Sequence, residues 1–506
     1  MNNNKINLLI DSLTDDSPVF QATPYATAWI AKVPCLTDLK TPAFPQSIHW
    51  LLANQNTDGS WGPLYPLNPY ANSLATLAVL TVLHQWHYGD YQSAIQKGID
   101  ALQQLLTLLN QTGMKTFGFE LLLTALVEEA QQQGNWLPKS LTQGYEKFIV
   151  LGRQQRDMLL TMLEQTQFAV PNVFWLCLPA LGYEYFQNNL SILATLEKSL
   201  STNGSILCSV ATTAFLLKMH RLNNRDLPQS DRFLQTVIEQ NQGGALPYQP
   251  MEQYQLAFSL DFLLKGNVAI DNLKQPLGTL HEYWQKRQGL GYSQFSPSLD
   301  ADDTALGLIA LTKAGYGISY KSLLKFFNGE YFSYYLEEPS PSISVNANAL
   351  RALALFKNHS EIKPIIAKTL NWIETNFQAP FERTLFDSWH CSPFYAASAL
   401  SFALSEFNHP MNTKLTQWLL SQQNTDGGWG YFGKSSQEET ALVVLALTND
   451  KKLATSVAQS LQLAKQFLSQ KDNIELASFY MESTMVCPIN VVTATILAAK
   501  HALVKF

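Results

Sequence analysis

Gln55-Asn56-Thr57-Asp58-Gly59-Ser60-Trp61-Gly62 recurs near the other end of the chain as Gln423-Asn424-Thr425-Asp426-Gly427-Gly428-Trp429-Gly430, with Ser60 against Gly428 as the only change. In each copy Asp-Gly reads as a tight turn, glycine supplying a positive φ and aspartate bonding the local amides. The tryptophan covers the junction, its ring apolar and its N–H free to find a carbonyl. A run rich in Ala and Leu follows both copies, Leu74 to Leu80 and Thr440 to Leu447. Such runs are apolar on all sides, as a buried inner helix requires. Weaker copies keep the order of turn and helix: Asn203-Gly204-Ser205 before Val210 to Leu217, Gln240 to Gly244 before Gln255 to Leu260, and Gln285 to Tyr292 before Thr304 to Leu311. Helix pairs repeated at tens of residues predict a stack or closed ring of hairpins. Alternating strand patterns are scarce, so the fold class is all-α.

The composition agrees. Of 506 residues, 46% are apolar and only 15% charged, which excludes disorder and a fibrous repeat and points to much buried surface. With 34 basic against 40 acidic residues, a nucleic-acid partner is not expected. The chain starts Met1-Asn2-Asn3-Asn4-Lys5 without the pattern of a signal peptide. No apolar run approaches the ~18 residues of a membrane span. The expectation is a cytoplasmic protein with at most peripheral membrane contact; oligomeric state is not legible. The five cysteines, Cys35, Cys177, Cys208, Cys391 and Cys487, form no Cys-x-x-Cys pair and read as reduced thiols, with no metal site. The polar stretch Asn223 to Pro228 suggests a boundary, giving domains 1–225 and 226–506, with the first residues able to pack on the other domain. A cavity between two domains is a favoured ligand site.

Ser298-Leu299-Asp300-Ala301-Asp302-Asp303-Thr304-Ala305 places three carboxylates at the start of an inner helix. One aspartate suffices as a cap; three in four positions exceed that need. Crowded carboxyls in an apolar barrel cannot all ionise, so one is expected to stay protonated and to act as a strong local acid.

Asp-x-Asp-Asp together with the Gln-x-x-Asp-Gly-x-Trp repeats resembles the class II terpene cyclases, nearest to the bacterial diterpene cyclases of the copalyl diphosphate synthase and squalene–hopene cyclase superfamily. Supporting stretches are Pro24 to Ala31, Pro341 to Asn346, Trp389-His390 with Ser392 to Tyr395, and Glu438 to Ala441. The resemblance covers nearly the whole chain. It implies two α/α-barrel (toroid) domains of the β,γ type, a γ-like one over 1–225 and a β-like one over 226–506 carrying the Asp cluster, with the active cavity between them. It also implies that Asp302 is the general acid, protonating the terminal alkene of a linear prenyl substrate, and that Asp300 and Asp303 orient it. Asn346 and Ser342, four apart and so on one helix face, are expected in the network that polarises Asp302.

A migrating cation needs aromatic faces, which stabilise charge without reacting. Trp284, Tyr292, Phe295, Tyr335, Trp389, His390, Phe394 and Tyr395 are the candidate substrate-binding residues, with Tyr331, Phe332 and Tyr334 nearby in sequence. His390, a tyrosine or water is the candidate terminating base.

The chain departs from the resemblance in four places. The stretch 66–74 after the first repeat lacks the acidic patch that would hold magnesium. Ala26 stands where an aspartate is usual, and Phe386 with Ser388, and Glu482 with Ser483, stand where basic residues are expected. A diphosphate needs Lys, Arg or a metal, so two substrates remain open: a geranylgeranyl or farnesyl diphosphate, with Mg2+ as cofactor only in that case, or a chain with an aromatic, carboxyl or alcohol head. The competing readings are another α/α-toroid protein, either a carbohydrate-active enzyme or a non-catalytic prenyl-binding scaffold.

Overall fold

A computed structural model describes every residue except 1, 16–17, 87–88, 110–113, 168–169, 171, 183–184, 187–189, 337–340, 450–453 and 506. The chain divides into two compact units. One comprises 1–19, 251–479 and 487–506; the other comprises 20–250 and 480–486.

In the first unit six helices pack each against the next and close on themselves: Glu252–Lys265, Ala301–Lys313, Ile343–Ala354, Pro393–Glu406, Gln437–Asn449 and Ile489–Ala502. Outer helices back this ring, among them Lys274–Arg287, Lys363–Asn376, Met411–Ser421 and Ala454–Ser469. The N-terminal helix Asn2–Ser12 completes the outer layer against Ile489–Ala502, which closes the circle between chain ends. The second unit follows the same plan around Pro24–Ala31, Pro69–Gln85, Phe119–Gln132, the 3-10 segment Asn172–Ala180 and Val210–Leu222. Among the described residues the only sheet is the two-stranded pair Tyr480–Met481 with Met485–Val486.

Inner and outer helices differ as their sequences require. Pro69 to Leu83 and Ala301 to Leu311 are buried at every position, so neither helix has a polar face. The outer helix Pro228–Gln240 buries Ser230, Phe233, Leu234, Val237 and Ile238, a single stripe, and turns its other face to water.

The repeat's hydrogen bonds explain its composition. Trp61 Nε1 donates to the Leu51 carbonyl at 2.6 Å, and Trp429 Nε1 to that of Leu419 at 2.7 Å. Gln55 Nε2 donates to the carbonyls of Gly59 and Ala94, and Gln423 Nε2 to those of Gly427 and Ser460, all at 2.9 Å. Each glutamine thus ties its turn to the next outer helix. Gly59 and Gly427 have φ of 87° and 86°, and an added Cβ would lie 2.4 and 2.7 Å from the carbonyl oxygens of Lys97 and Leu463. Only glycine fits there. A further element of the repeat is a threonine hydroxyl on the inner helix that accepts a backbone N–H from the turn: Trp61 to Thr76, Ile206 to Thr213, Leu290 to Thr304 and Trp429 to Thr440, at 2.9–3.1 Å.

The units part after Pro250, not at 225/226. The polar stretch Asn223 to Pro228 is a turn between the inner helix Val210–Leu222 and the outer helix Pro228–Gln240. Buried Arg221 fastens it, donating to Asp226 at 3.0 Å and Asp231 at 2.6 Å.

Candidate active site

The helix Ala301–Lys313 starts on Asp300, whose extended backbone and side chain form its N-cap: Oδ1 accepts the Asp303 N–H at 2.7 Å. Capping therefore accounts for Asp300. It does not account for Asp302 and Asp303, which follow inside the first turn, both buried.

Burial dominates the acidity of all three. It pushes Asp300 up to about 6. Asp303 rises well above the carboxylate range through burial and then the charge of Asp300, so Asp303 keeps a proton and shares it with Asp300. Asp302 is pushed up to about 7, again by burial first and then by the surrounding carboxylates, against the lowering effect of a hydrogen bond from Asn348. Asp302 is thus an acid near half-protonation at neutral pH, and at 3% exposure it is the least enclosed of the three.

Behind it runs a chain of polar groups on the two inner helices that flank its own, Glu252–Lys265 and Ile343–Ala354. Asn348 Nδ2 donates to Asp302 Oδ1 at 2.8 Å, and Arg351 donates to Asn348 Oδ1 at 3.1 Å. Arg351 also forks onto Asp261, at 2.7 and 3.1 Å, and Lys265 reaches Asp261 at 2.8 Å. The two cations hold Asp261 ionised, far below the usual range, against its burial. A hollow of about 10 Å³, room for about one water, lies among Asp261, Lys265, Asn348, Tyr395 and Ser398.

The expected partners Ser342 and Asn346 are occupied elsewhere. Ser342 caps the helix Ile343–Ala354 and donates to Asp387 at 3.0 Å. Asn346 locks the backbone of Phe332, accepting its N–H at 2.7 Å and donating to its carbonyl at 3.0 Å. Asn348 takes the place the sequence suggested for Asn346. Successive helical residues turn by about 100°, so a side chain two positions on faces nearly the other way.

Of the aromatic candidates, Tyr395 is in the neighbourhood of the acid: after burial, the charge of Asp302 contributes to raising its hydroxyl. Tyr254 and Tyr334 stand in the same field; Tyr334 is among the aromatics the sequence points to, whereas Tyr254 is not. Tyr334 packs edge-on to Tyr335 at 4.4 Å and tilted on Trp389 at 4.5 Å, which gathers those two. Tyr292 is buried and accepts the Tyr254 N–H through its carbonyl; Phe295 is half-buried. Trp284 belongs to an outer helix, is buried, and packs beside Leu290 against Gly307, so it is core. Phe394 faces the outer-helix Trp418 at 5.7 Å.

His390 is stacked between Tyr395, at 4.5 Å, and Phe479, at 5.6 Å. Burial lowers it to about 4, so the ring is neutral. Its Nδ1 accepts the Ser392 N–H at 3.1 Å, which assigns the proton to Nε2, 3.4 Å from Glu438 Oε1. Neither nitrogen then offers a lone pair to a substrate proton.

Among the described residues no group of three or more His, Cys, Asp or Glu is arranged to hold a metal ion. In the stretch 66–74, Asn68 caps the helix Pro69–Gln85 and donates to the Met114 carbonyl at 2.9 Å, and no carboxylate is present for magnesium. Among the described residues no helix is long and apolar enough to cross a membrane.

Fold and site together describe an α/α-barrel protein with a buried carboxyl cluster of raised pKa at an inner-helix N-terminus. Residues 335–470 match the squalene-hopene cyclase C-terminal domain family. The chain is 27% identical over 503 residues to a type B diterpene cyclase of Mycobacterium tuberculosis (strain ATCC 25618 / H37Rv), covering 94% of this chain and 95% of that protein. It is 30% identical to a chloroplastic bifunctional levopimaradiene synthase of Pinus contorta over 61% of this chain, a match that spans only 35% of the longer plant protein. Its fold is similar to ent-copalyl diphosphate synthase from Streptomyces platensis, with a TM-score of 0.79, 23% identity and 99% of both chains covered. Over nearly its whole length the chain is thus similar to diterpene cyclases.

Proposed function

We propose that the protein cyclises a linear prenyl substrate by protonating its terminal alkene from Asp302. The buried carboxyl of Asp302, raised to about 7 and held through one oxygen by Asn348, is the observation that supports this reading most directly. A solvated carboxylic acid is too weakly protonated at neutral pH to serve; burial supplies the proton and its driving force together. The proton moves from Asp302 to the terminal alkene carbon, leaving a tertiary carbocation that the internal double bonds attack in turn. Each attack forms a ring bond and moves the positive charge along the chain. Loss of a proton, or capture of water, ends the sequence, and Asp302 must regain its proton before the next turnover.

Tyr254, Tyr334, Tyr335, Trp389 and Tyr395 are the aromatic faces assigned to the cation. Burial keeps the hydroxyls of Tyr254, Tyr334 and Tyr395 far above their ordinary range, so they stay neutral and do not quench it. The Asp300–Asp303 pair, sharing one proton, fixes the turn on which Asp302 sits.

The test is to incubate the purified protein with farnesyl and geranylgeranyl diphosphates, the corresponding alcohols and prenylated phenols, with and without Mg2+, beside Asp302→Asn. A cyclic product that requires Asp302 supports the reading. Cyclisation confined to diphosphates and dependent on magnesium assigns the diphosphate head; cyclisation of an alcohol or phenol without magnesium assigns the other. No product from any of them, or full activity in Asp302→Asn, rejects the reading.

A further inference from the structure

Asp302 has a counterpart across the ring of the first unit. The inner helices Ala301–Lys313 and Gln437–Asn449 each follow a turn of the repeat, and in each a threonine hydroxyl reaches out to that turn. Thr304 accepts the Leu290 N–H at 3.1 Å, and Thr440 the Trp429 N–H at 2.9 Å. Asp302 lies two residues before Thr304, and Glu438 two before Thr440. Two residues turn a helix by about 200°, so both carboxyl side chains leave on the side away from the turn, toward the inside of the ring. Each inner helix starts after an outer helix has run back, which sets their first turns at one end. The two helices stand three places apart in the ring of six and so face each other. Both carboxyls are buried.

Capping does not account for Glu438. Ser436 Oγ caps the helix, accepting the Glu439 N–H at 3.1 Å. Glu439 is a fastener: its carboxyl accepts from Ser392 Oγ at 2.6 Å, Ser436 Oγ at 2.8 Å and the Tyr431 N–H at 3.0 Å. Glu438 instead meets an aromatic wall. His390 Nε2 stands 3.4 Å from its Oε1, and that ring is stacked between Tyr395 and Phe479. A carboxylate offers only acceptors, so the proton assigned to Nε2 suits it. Tyr254, on a third inner helix, stands in the field of both acids: after burial, the charges of Asp303, Asp302 and Glu438 raise its hydroxyl.

We propose that Glu438 is the base that ends the cyclisation, taking a proton from the carbon beside the final cation. This assignment rests on Asp302 as the acid. Asp302 gives its proton to one end of the folded chain, and ring closure moves the positive charge away from it. At Glu438 a C–H bond breaks, its electron pair becomes the last double bond, and the proton passes to a carboxylate oxygen. A fixed negative charge on that side also favours the arrival of the cation. Asp302 is then one proton short and Glu438 one proton rich, and exchange with water resets both. The product is an olefin rather than an alcohol.

The test is product analysis with the full chain on geranylgeranyl diphosphate, geranylgeraniol and a geranylgeranylated phenol. Substrate consumption and product identity are followed by mass spectrometry in wild type, Asp302→Asn, Glu438→Gln, Glu438→Ala and Glu438→Asp. Wild type is expected to give a cyclic olefin. Glu438→Gln still consumes substrate, because Asp302 starts the reaction, but the share of that olefin falls at least about tenfold. An alcohol or a mixture of double-bond isomers replaces it. Glu438→Ala does the same and keeps the test valid should Glu438→Gln not fold. Glu438→Asp keeps a carboxylate and restores the olefin as the main product. An effect of shape alone would run the other way, since glutamine keeps the length of the side chain and aspartate shortens it. An unchanged olefin in Glu438→Gln or Glu438→Ala, no recovery in Glu438→Asp, an alcohol as the wild-type product, or loss of all consumption in both neutral variants overturns the proposal. An inert wild type or full activity in Asp302→Asn removes the acid instead, and the base with it.

Discussion

Asn348 donates its side-chain N–H to Asp302 Oδ1 across 2.8 Å while its own oxygen accepts from Arg351 at 3.1 Å. The arginine fixes which way the amide points, and in the proposed reaction the amide would fix which oxygen of Asp302 carries negative charge after proton transfer. The other oxygen holds the proton. An asparagine is suited to this position because it favours the anion without becoming a competing acid.

The pH dependence of turnover follows. As the proposed acid, Asp302 would donate only when protonated, so kcat is expected to fall as pH rises through its value of about 7. The hydrogen bond from Asn348 lowers that value. In Asn348→Ala the carboxylate loses its donor, Asp302 holds its proton more tightly, and the alkaline limb of the kcat profile moves to higher pH. The maximal rate drops as well, since a weaker acid transfers less readily. A limb that stays in place or moves to lower pH contradicts the assignment of Asn348.

Asp302→Asn separates catalysis from stability. Turnover is expected to fall by about 10²–10⁴ or more, the usual contribution of a positioned acid. Stability moves the other way. The folded-state value of Asp302 is raised from 3.8 to about 7, so the native state prefers the protonated form. Its favourable contribution is complete below 3.8 and is lost as pH climbs through about 7. The variant carries no such loss. Its advantage over the wild type grows between these limits and levels off above them, reaching at most on the order of 4 kcal/mol. Thermal melts of both proteins across this range measure it, and a constant difference in Tm rejects the raised value.

The two strong Trp repeats and the three clustered aspartates were legible because each is local: turn chemistry and capping act within a few residues. Partners across the barrel were not. Ser342 and Asn346 do share a helix face, as their spacing requires, but that face addresses Asp387 and Phe332, and spacing alone does not say which face meets Asp302. Trp284 precedes a turn of the repeat and so lies on an outer helix, a position readable from order alone. Asp261 and Lys265, charges four apart inside an apolar run, were the unread signal of a buried ion pair. The threonines that recur on inner helices were visible too, but their role depends on an amide-to-hydroxyl distance that no spacing encodes.

The repeat makes its own prediction. Gly427→Ala asks an L-residue to adopt φ of 86° with its Cβ 2.7 Å from the Leu463 carbonyl oxygen. Strain of this kind costs about 1–3 kcal/mol. Thr440→Val removes the hydroxyl that accepts the Trp429 N–H at 2.9 Å, leaving a buried donor unmet at a cost of about 1–3 kcal/mol. Both variants should melt earlier than wild type and keep its product. The two sites share one turn, so the double variant should lose less than the sum of the single losses. Full additivity would show that the threonine and the glycine do not stabilise the same junction.

His390 offers the sharpest contrast with the sequence expectation of a terminating base. Its Nδ1 already accepts the Ser392 N–H at 3.1 Å, and burial lowers its value to about 4, which makes it a poor proton acceptor. Its ring instead bridges Tyr395 and Phe479. His390→Asn keeps an acceptor for Ser392 and loses the stacking surface. The variant should melt earlier, by an amount in the range of about 1–3 kcal/mol usual for a lost buried contact. Its product should remain the one the wild type makes, with kcat within about tenfold, because no proton passes through the ring. Product analysis by mass spectrometry decides the point. A shift to a hydroxylated terpenoid, or to a mixture of double-bond isomers, would mean that His390 removes the final proton after all, and that its bond to Ser392 opens during turnover.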